Sequence, residues 1–137
     1  MAEANDLLAE GRVLAVNADS VVFAPGESTY ELLLKTPGRY EGPVNEPIRC
    51  RVRVTARKVY SVPSGGSFIV PIVGPPRIVQ GRVKYLDETE MVLHASAPVI
   101  VRLPEDDAAY DLACGPLSAG RLVNVAILPG ASFEPVA

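Results

Sequence analysis

From Pro47 to Tyr60 the chain reads PIRCRVRVTARKVY, and apolar and polar positions alternate with a period of two. Ile48, Cys50, Val52, Val54 and Ala56 fall on one side, and Arg49, Arg51, Arg53, Thr55 and Arg57 on the other. Successive side chains leave opposite faces of a strand, so strict alternation in β-branched company predicts a half-buried β-strand. Lys58 breaks the phase, because it would fall on the apolar side. A bulge or the strand's end is therefore expected near Arg57–Val59.

The remaining apolar runs are short and bounded by turn residues. GRVLAVN begins at Gly11, SVVFA follows Asn17–Asp19, and TYELLLKT follows Pro25-Gly26 and ends at Pro37-Gly38. Ala2–Ala9 has the composition for two helical turns, too short to stand without tertiary contacts. Ser61–Gln80 is rich in Pro and Gly yet also carries Phe68, Ile69, Val70, Ile72, Val73, Ile78 and Val79. A flexible linker would be polar, so this segment is expected to pack on the core as short extended pieces. PEDDAAYDLACGP, from Pro104, predicts a short helical turn with acids at its start and Gly115-Pro116 as its stop.

The second half echoes the first. GRVLAVN at Gly11 corresponds to GRVKYLD at Gly81, and Val21–Ala24 to Met91–His94. Leu32–Pro37 corresponds to Val99–Pro104, and Arg51–Val54 to Leu122–Val125. The reading is one all-β domain over residues 1–137, with an internal repeat at 11–60 and 81–128 and an apolar Pro/Gly-rich connector at 61–80. Eight or nine short strands with turns at this spacing predict a small barrel or sandwich, OB-like, built from a duplicated four-strand unit. In period and strand pattern alone the repeat resembles the tandem OB-like modules of small-oxyanion-binding proteins. None of their ligand motifs is present.

Composition narrows the classes. At 137 residues the chain can bury one real core. Hydrophobic content of 48% beside 21% charged residues is that of an ordinary globular domain. No apolar run approaches the roughly 18 residues of a membrane helix, and the start lacks the basic and apolar regions of a signal peptide. A cytoplasmic protein without membrane contact is expected. The net charge of −3 hides a basic middle between acidic ends. Residues 1–46 carry eight acids and three bases, residues 47–102 three acids and nine bases, and residues 103–137 five acids and one base.

Candidate chemistry is sparse. His94, the single histidine, stands in MVLHA opposite to Met91, Leu93 and Ala95. It leaves no second choice of base for a nucleophilic triad. Cys50 and Cys114 are far apart and form no metal spacing with it. Glu105, Asp106, Asp107 and Asp111 lack the alternate positions and central Gly of a calcium loop. Ser64–Ser67 lacks the spacing of a phosphate-binding loop. No enzymatic activity and no cofactor are expected.

The arginine strand remains as a candidate anion or partner surface, comprising Arg49, Arg51, Arg53, Arg57 and Lys58. Alternate strand residues are roughly 6.6 Å apart, a spacing that can follow an extended phosphate backbone. Against this, single-strand binders interleave stacking aromatics, and none lies between Arg49 and Arg57. A solvated face whose arginines pair across the sheet with acids such as Glu31 is the preferred reading of the pattern. The expected function is a non-enzymatic binding or structural module of unknown ligand. Its alternatives are single-stranded nucleic-acid binding through residues 49–58, which is not favoured, and association with a protein partner or a second copy.

Overall fold

The computed structural model describes residues 7–26 and 28–136. It is all-β: among the described residues twelve strands belong to one hydrogen-bonded sheet system, and a 3-10 turn spans Asp107–Ala109. In chain order the strands are β1 (Ala9–Val16), β2 (Ser20–Pro25), β3 (Glu31–Lys35), β4 (Ile48–Ser61), β5 (Phe68–Val70) and β6 (Val73–Gly74). They continue as β7 (Ile78–Leu86), β8 (Glu90–His94), β9 (Pro98–Arg102), β10 (Tyr110–Asp111), β11 (Leu122–Ile127) and β12 (Ser132–Pro135).

β4 is the spine. Its fourteen residues pair with five other strands. β1 runs antiparallel to it at Ile48–Cys50 and β12 antiparallel at Cys50–Arg53. β9 lies parallel at Arg53–Thr55, β11 antiparallel from Ala56 to Ser61, and β10 parallel at Val59–Tyr60. The expected alternation holds. Cys50, Val52, Val54 and Ala56 are buried, while the arginines between them are partly or fully exposed. The register then shifts: Ala126 pairs with Lys58 and Ile127 with Ala56, leaving Arg57 unmatched. This bulge moves burial to Val59 and Ser61 and spares Lys58 full burial.

The pairings close a circuit of five strands on each side of this spine. One runs β1-β2-β3-β12-β4 and returns to β1. The other runs β7-β8-β9-β4-β11 and returns to β7. Closure leaves few strand edges unpaired, which removes the usual sites of edge-to-edge association. The interior is continuous. Phe23, Leu32, Leu34, Val52 and Phe133 lie in the first circuit, Val83, Met91, Leu93, Val101 and Val125 in the second, and all belong to one buried cluster. Full burial of each such side chain stabilises the fold by about 1.5–3 kcal/mol.

Gly11 and Gly81 show why glycine stands early in two strands. A Cβ on Gly11 would run into the Ala24 carbonyl oxygen, and one on Gly81 into that of His94. Only a residue without a side chain allows β2 and β8 to approach this closely.

Four sequence expectations need correction. Ala9 opens β1 instead of ending a helix, and residues 1–6 lie outside the described chain. The 61–80 segment is only partly packed. Ile69 is buried, but Val70, Ile72 and Val73 are exposed where the chain passes from β5, paired with β7, to β6, paired with β3. The helical turn after Pro104 spans three residues and gives way to β10 at Tyr110, so Gly115 belongs to a later turn. Twelve strands replace eight or nine, since β5, β6 and β10 are too short to leave a periodic signal.

Candidate anion and partner surface

Each ladder arginine is held by β4, and the strands beside β4 decide its surroundings. Arg49 Nε lies 3.1 Å from Glu10 Oε1 on β1. Arg51 Nη1 lies 2.8 Å from Glu134 Oε1 on β12. Arg53 reaches Glu134 through Nε at 3.4 Å and Glu90 of β8 through Nη1 at 3.8 Å. Three arginines thus face three glutamates and the ladder is locally neutral. Glu31, the acid expected to serve, makes no ion pair among the described residues; its amide donates to the Ile72 carbonyl. Both partners of each pair are substantially exposed, so a pair contributes at most about 1 kcal/mol.

Arg57 and Lys58 differ from the other three. Lys58 Nζ sits 5.2 Å from the centroid of the Tyr60 ring, a cation–π arrangement. Arg57 is exposed, stands at the bulge and has no ion-pair partner among the described residues. It lines a cleft of about 650 Å³ together with Arg77, Val70, Pro75, Pro76, Ile78, Ala126, Ile127 and Pro129. The structure therefore splits the five-residue candidate surface into a neutralised face (Arg49, Arg51, Arg53) and a bulge region that is not neutralised.

Other candidates have structural roles. His94 is exposed and pairs across the sheet with Arg82 on one side and Pro98 on the other. Cys50 is buried, and its burial pushes the thiol up to about 12, which keeps it neutral and unreactive. Cys114 is exposed, and both cysteines are free. Asp106 Oδ1 accepts from the Ala108 amide at 2.9 Å and caps the 3-10 turn. Among the described residues no three His, Cys, Asp or Glu side chains are grouped to hold a metal ion. In the Ser64–Ser67 loop the Gly66 carbonyl accepts from Gln80 Nε2 at 2.8 Å, so the loop offers an acceptor to the core. No helix among the described residues is long and apolar enough to cross a membrane.

Sequence reasoning missed two features. Gln80 is buried and also accepts from Asn124 Nδ2 at 2.9 Å, which satisfies it inside the β7–β11 pair. Its polar character gave no hint of this, since a lone Gln at a strand start is common. Asp87 closes the β7–β8 turn by accepting from the amides of Thr89 and Glu90 at 2.8 and 2.9 Å. These bonds hold its carboxyl below the ordinary range. The Asp–Glu–Thr–Glu sequence was a turn signal of this kind.

The geometry defines an all-β chain whose long central strand takes part in two closed circuits and in which two arginines without ion pairs among the described residues, Arg57 and Arg77, line one cleft. Compared with family models, curated proteins and solved structures, the chain matches none.

Proposed function

We propose that this chain is a non-enzymatic binding or assembly module built from two interlocked OB-like units. Support for the duplication comes from local hydrogen bonds that recur at matching positions. Asn17 N donates to Ser20 O, and Asp87 N to Glu90 O. β1 shifts register between Val13 and Ala15, and β7 between Val83 and Tyr85. The Val13 carbonyl accepts from Asn45 N ahead of β4, and the Val83 carbonyl from Gly120 N ahead of β11. Thr36 N donates to Asp19 O, and Leu103 N to Thr89 O.

The pairing scheme supports an exchange between the units. A five-strand OB-like unit joins its fourth strand to its first antiparallel, and its fifth to its third in parallel. On this reading Ile48–Arg53 is the fourth strand of the first unit, and β4 runs on to become the fifth strand of the second, parallel to β9. β11 is the fourth strand of the second unit and leads to β12, the fifth of the first, parallel to β3. Each unit is completed by the other.

The observation that carries the functional reading is the pairing of Arg49, Arg51 and Arg53 with Glu10, Glu134 and Glu90. A bound phosphate chain would have to displace three carboxylates, which argues for a self-neutralised, solvated face over a nucleic-acid track. The test is fluorescence anisotropy with labelled single-stranded DNA and RNA at low and physiological salt, beside a screen of hydrolase substrates. The reading expects no binding that depends on Arg51 and Arg53, and no turnover that depends on His94. Steeply salt-dependent binding lost in Arg51→Ala/Arg53→Ala would transfer the function to nucleic acid. Turnover abolished by His94→Ala would make the protein an enzyme.

A further inference from the structure

The geometry points to the cleft between Arg57 and Arg77 as a docking site for a protein segment in which large apolar residues stand beside carboxylates. The inference rests on the binding-module reading and gives that module a partner chemistry.

The cleft is built around the end of β11. The bulge places Arg57 opposite Ala126 and Ile127 on the β4 side. On the other side the Arg77 carbonyl accepts from the Ile127 amide at 3.0 Å, and the Arg77 amide donates to the Val70 carbonyl at 2.7 Å. Two guanidinium-bearing residues thus flank one stretch of backbone. The walls between them are Val70, Pro75, Ile78, Ile127 and Pro129.

Charge sets this cleft apart. Four other clefts also contain arginines, and each includes a glutamate in its lining: Glu41, Glu90, or Glu10 in two of them. The cleft at Arg57 and Arg77 has no carboxylate in its lining. Neither arginine makes an ion pair among the described residues. Guanidiniums in an apolar setting favour planar carboxylate partners, to which they can donate two parallel bonds.

Exposed apolar residues stand in or next to its lining in sequence. The exposed large hydrophobics among the described residues are Val44, Val70, Ile72, Val73 and Leu128. Val70 lines the cleft, Leu128 stands between the lining residues Ile127 and Pro129, and Ile72 and Val73 lie in the chain between the lining residues Val70 and Pro75. Such an apolar patch beside charge is the composition of an interaction surface. A second copy docking by the same patch is disfavoured, because a two-fold contact would bring these arginines against each other.

The test pans a random peptide library displayed on phage against the immobilised full chain. Enriched peptides are then made with a fluorescein label and titrated by anisotropy. Enrichment of Asp or Glu adjacent to Leu, Ile, Val or Phe is expected. Binding should weaken about tenfold or more in Arg57→Glu and in Arg77→Glu, and should be unchanged in Lys84→Glu. Circular dichroism confirms that these exposed variants keep the fold. Failure to enrich such peptides, or affinity indifferent to both charge reversals, would overturn the proposal. A wild-type dimer that either reversal converts to a monomer would also overturn it in favour of self-association. Peptides that bind elsewhere sink this site and leave the module reading standing, whereas His94-dependent turnover sinks the module reading itself.

Discussion

Replacing Phe133 with alanine probes the closure of the first circuit most sharply. Phe133 is 1% exposed and pairs with Val52 across β12 and β4. Its ring sits 5.7 Å from that of Phe23, tilted by 54°, and 5.4 Å from that of Tyr40 in an edge-on contact at 88°. Truncating a buried Phe to Ala costs about 3–5 kcal/mol in transfer and cavity terms. Two aromatic contacts place this site toward the upper end, since each is worth about 0.5–1.5 kcal/mol beyond area burial. With a urea slope of about 2 kcal/mol/M, the midpoint should fall by roughly 2 M. Because β12 closes its circuit onto the shared β4, loss should appear as one cooperative transition at lower urea and leave no stable half. Urea denaturation followed by far-ultraviolet circular dichroism, with hydrogen exchange at β7–β9 amides, reads both quantities. A change below about 1 kcal/mol, or β8 and β9 amides protected as in the wild type while β1–β3 open, would refute the reasoning.

Other outcomes follow from the same geometry. Glu134→Gln removes the shared partner of Arg51 and Arg53, both in exposed pairs. It should cost less than about 1 kcal/mol by chemical denaturation, and a larger loss would mean the ladder is a structural lock. Gly11→Ala and Gly81→Ala, which press a methyl against the Ala24 and His94 carbonyls, should each lower the melting temperature clearly; an unchanged value at either position would contradict the close strand approach. Cys114 should react promptly with a thiol reagent under native conditions while Cys50 does not, and equal rates would refute the buried position of Cys50. The Cys50 thiol is raised to about 12 in the fold and is near about 8.5 unfolded. The unfolded chain therefore ionises first, and this contribution is intact below about pH 8.5 and lost as pH rises toward 12. Urea midpoints should fall less steeply in Cys50→Ala than in the wild type between about pH 8 and pH 11, and parallel curves would sink the assignment.

Strand type was legible wherever alternation ran for several residues. The stretch from Ile48 to Ala56 declared its buried face through Cys50, Val52 and Val54, and the misplaced Lys58 marked the bulge at Arg57. β5, β6 and β10 were not legible, because two or three residues hold no period and their pairing is set by tertiary contact. The exposure of Val70, Ile72 and Val73 was misread for a related reason: apolar content indicates burial only on average, and here a surface keeps those side chains exposed. Among the site residues, the exposure of the ladder was readable and its charge state was not. Glu10 and Glu134 lie far from β4 in sequence, and only the registers of β1 and β12 bring them to Arg49 and Arg51. Arg77 stood close enough in sequence to extend the arginine face, but only the pairing of Ile127 with its carbonyl shows that it lies on the far side of Ile127 from Arg57.

The exchange of strands between the two halves is tested most directly by separating them. Residues 1–77 and 78–137 are expressed apart, then mixed, and unfolding of each sample is followed in urea. The first fragment keeps β4 but lacks β9, β11 and β12, and the second keeps β7–β9 and β11 but lacks β4. Neither should show a cooperative transition alone, since each leaves a circuit open and its apolar interior exposed. The mixture should regain the β spectrum and a single transition. A cooperative transition from either fragment alone would mean that its circuit closes without the other half, and the interlocked arrangement would be wrong.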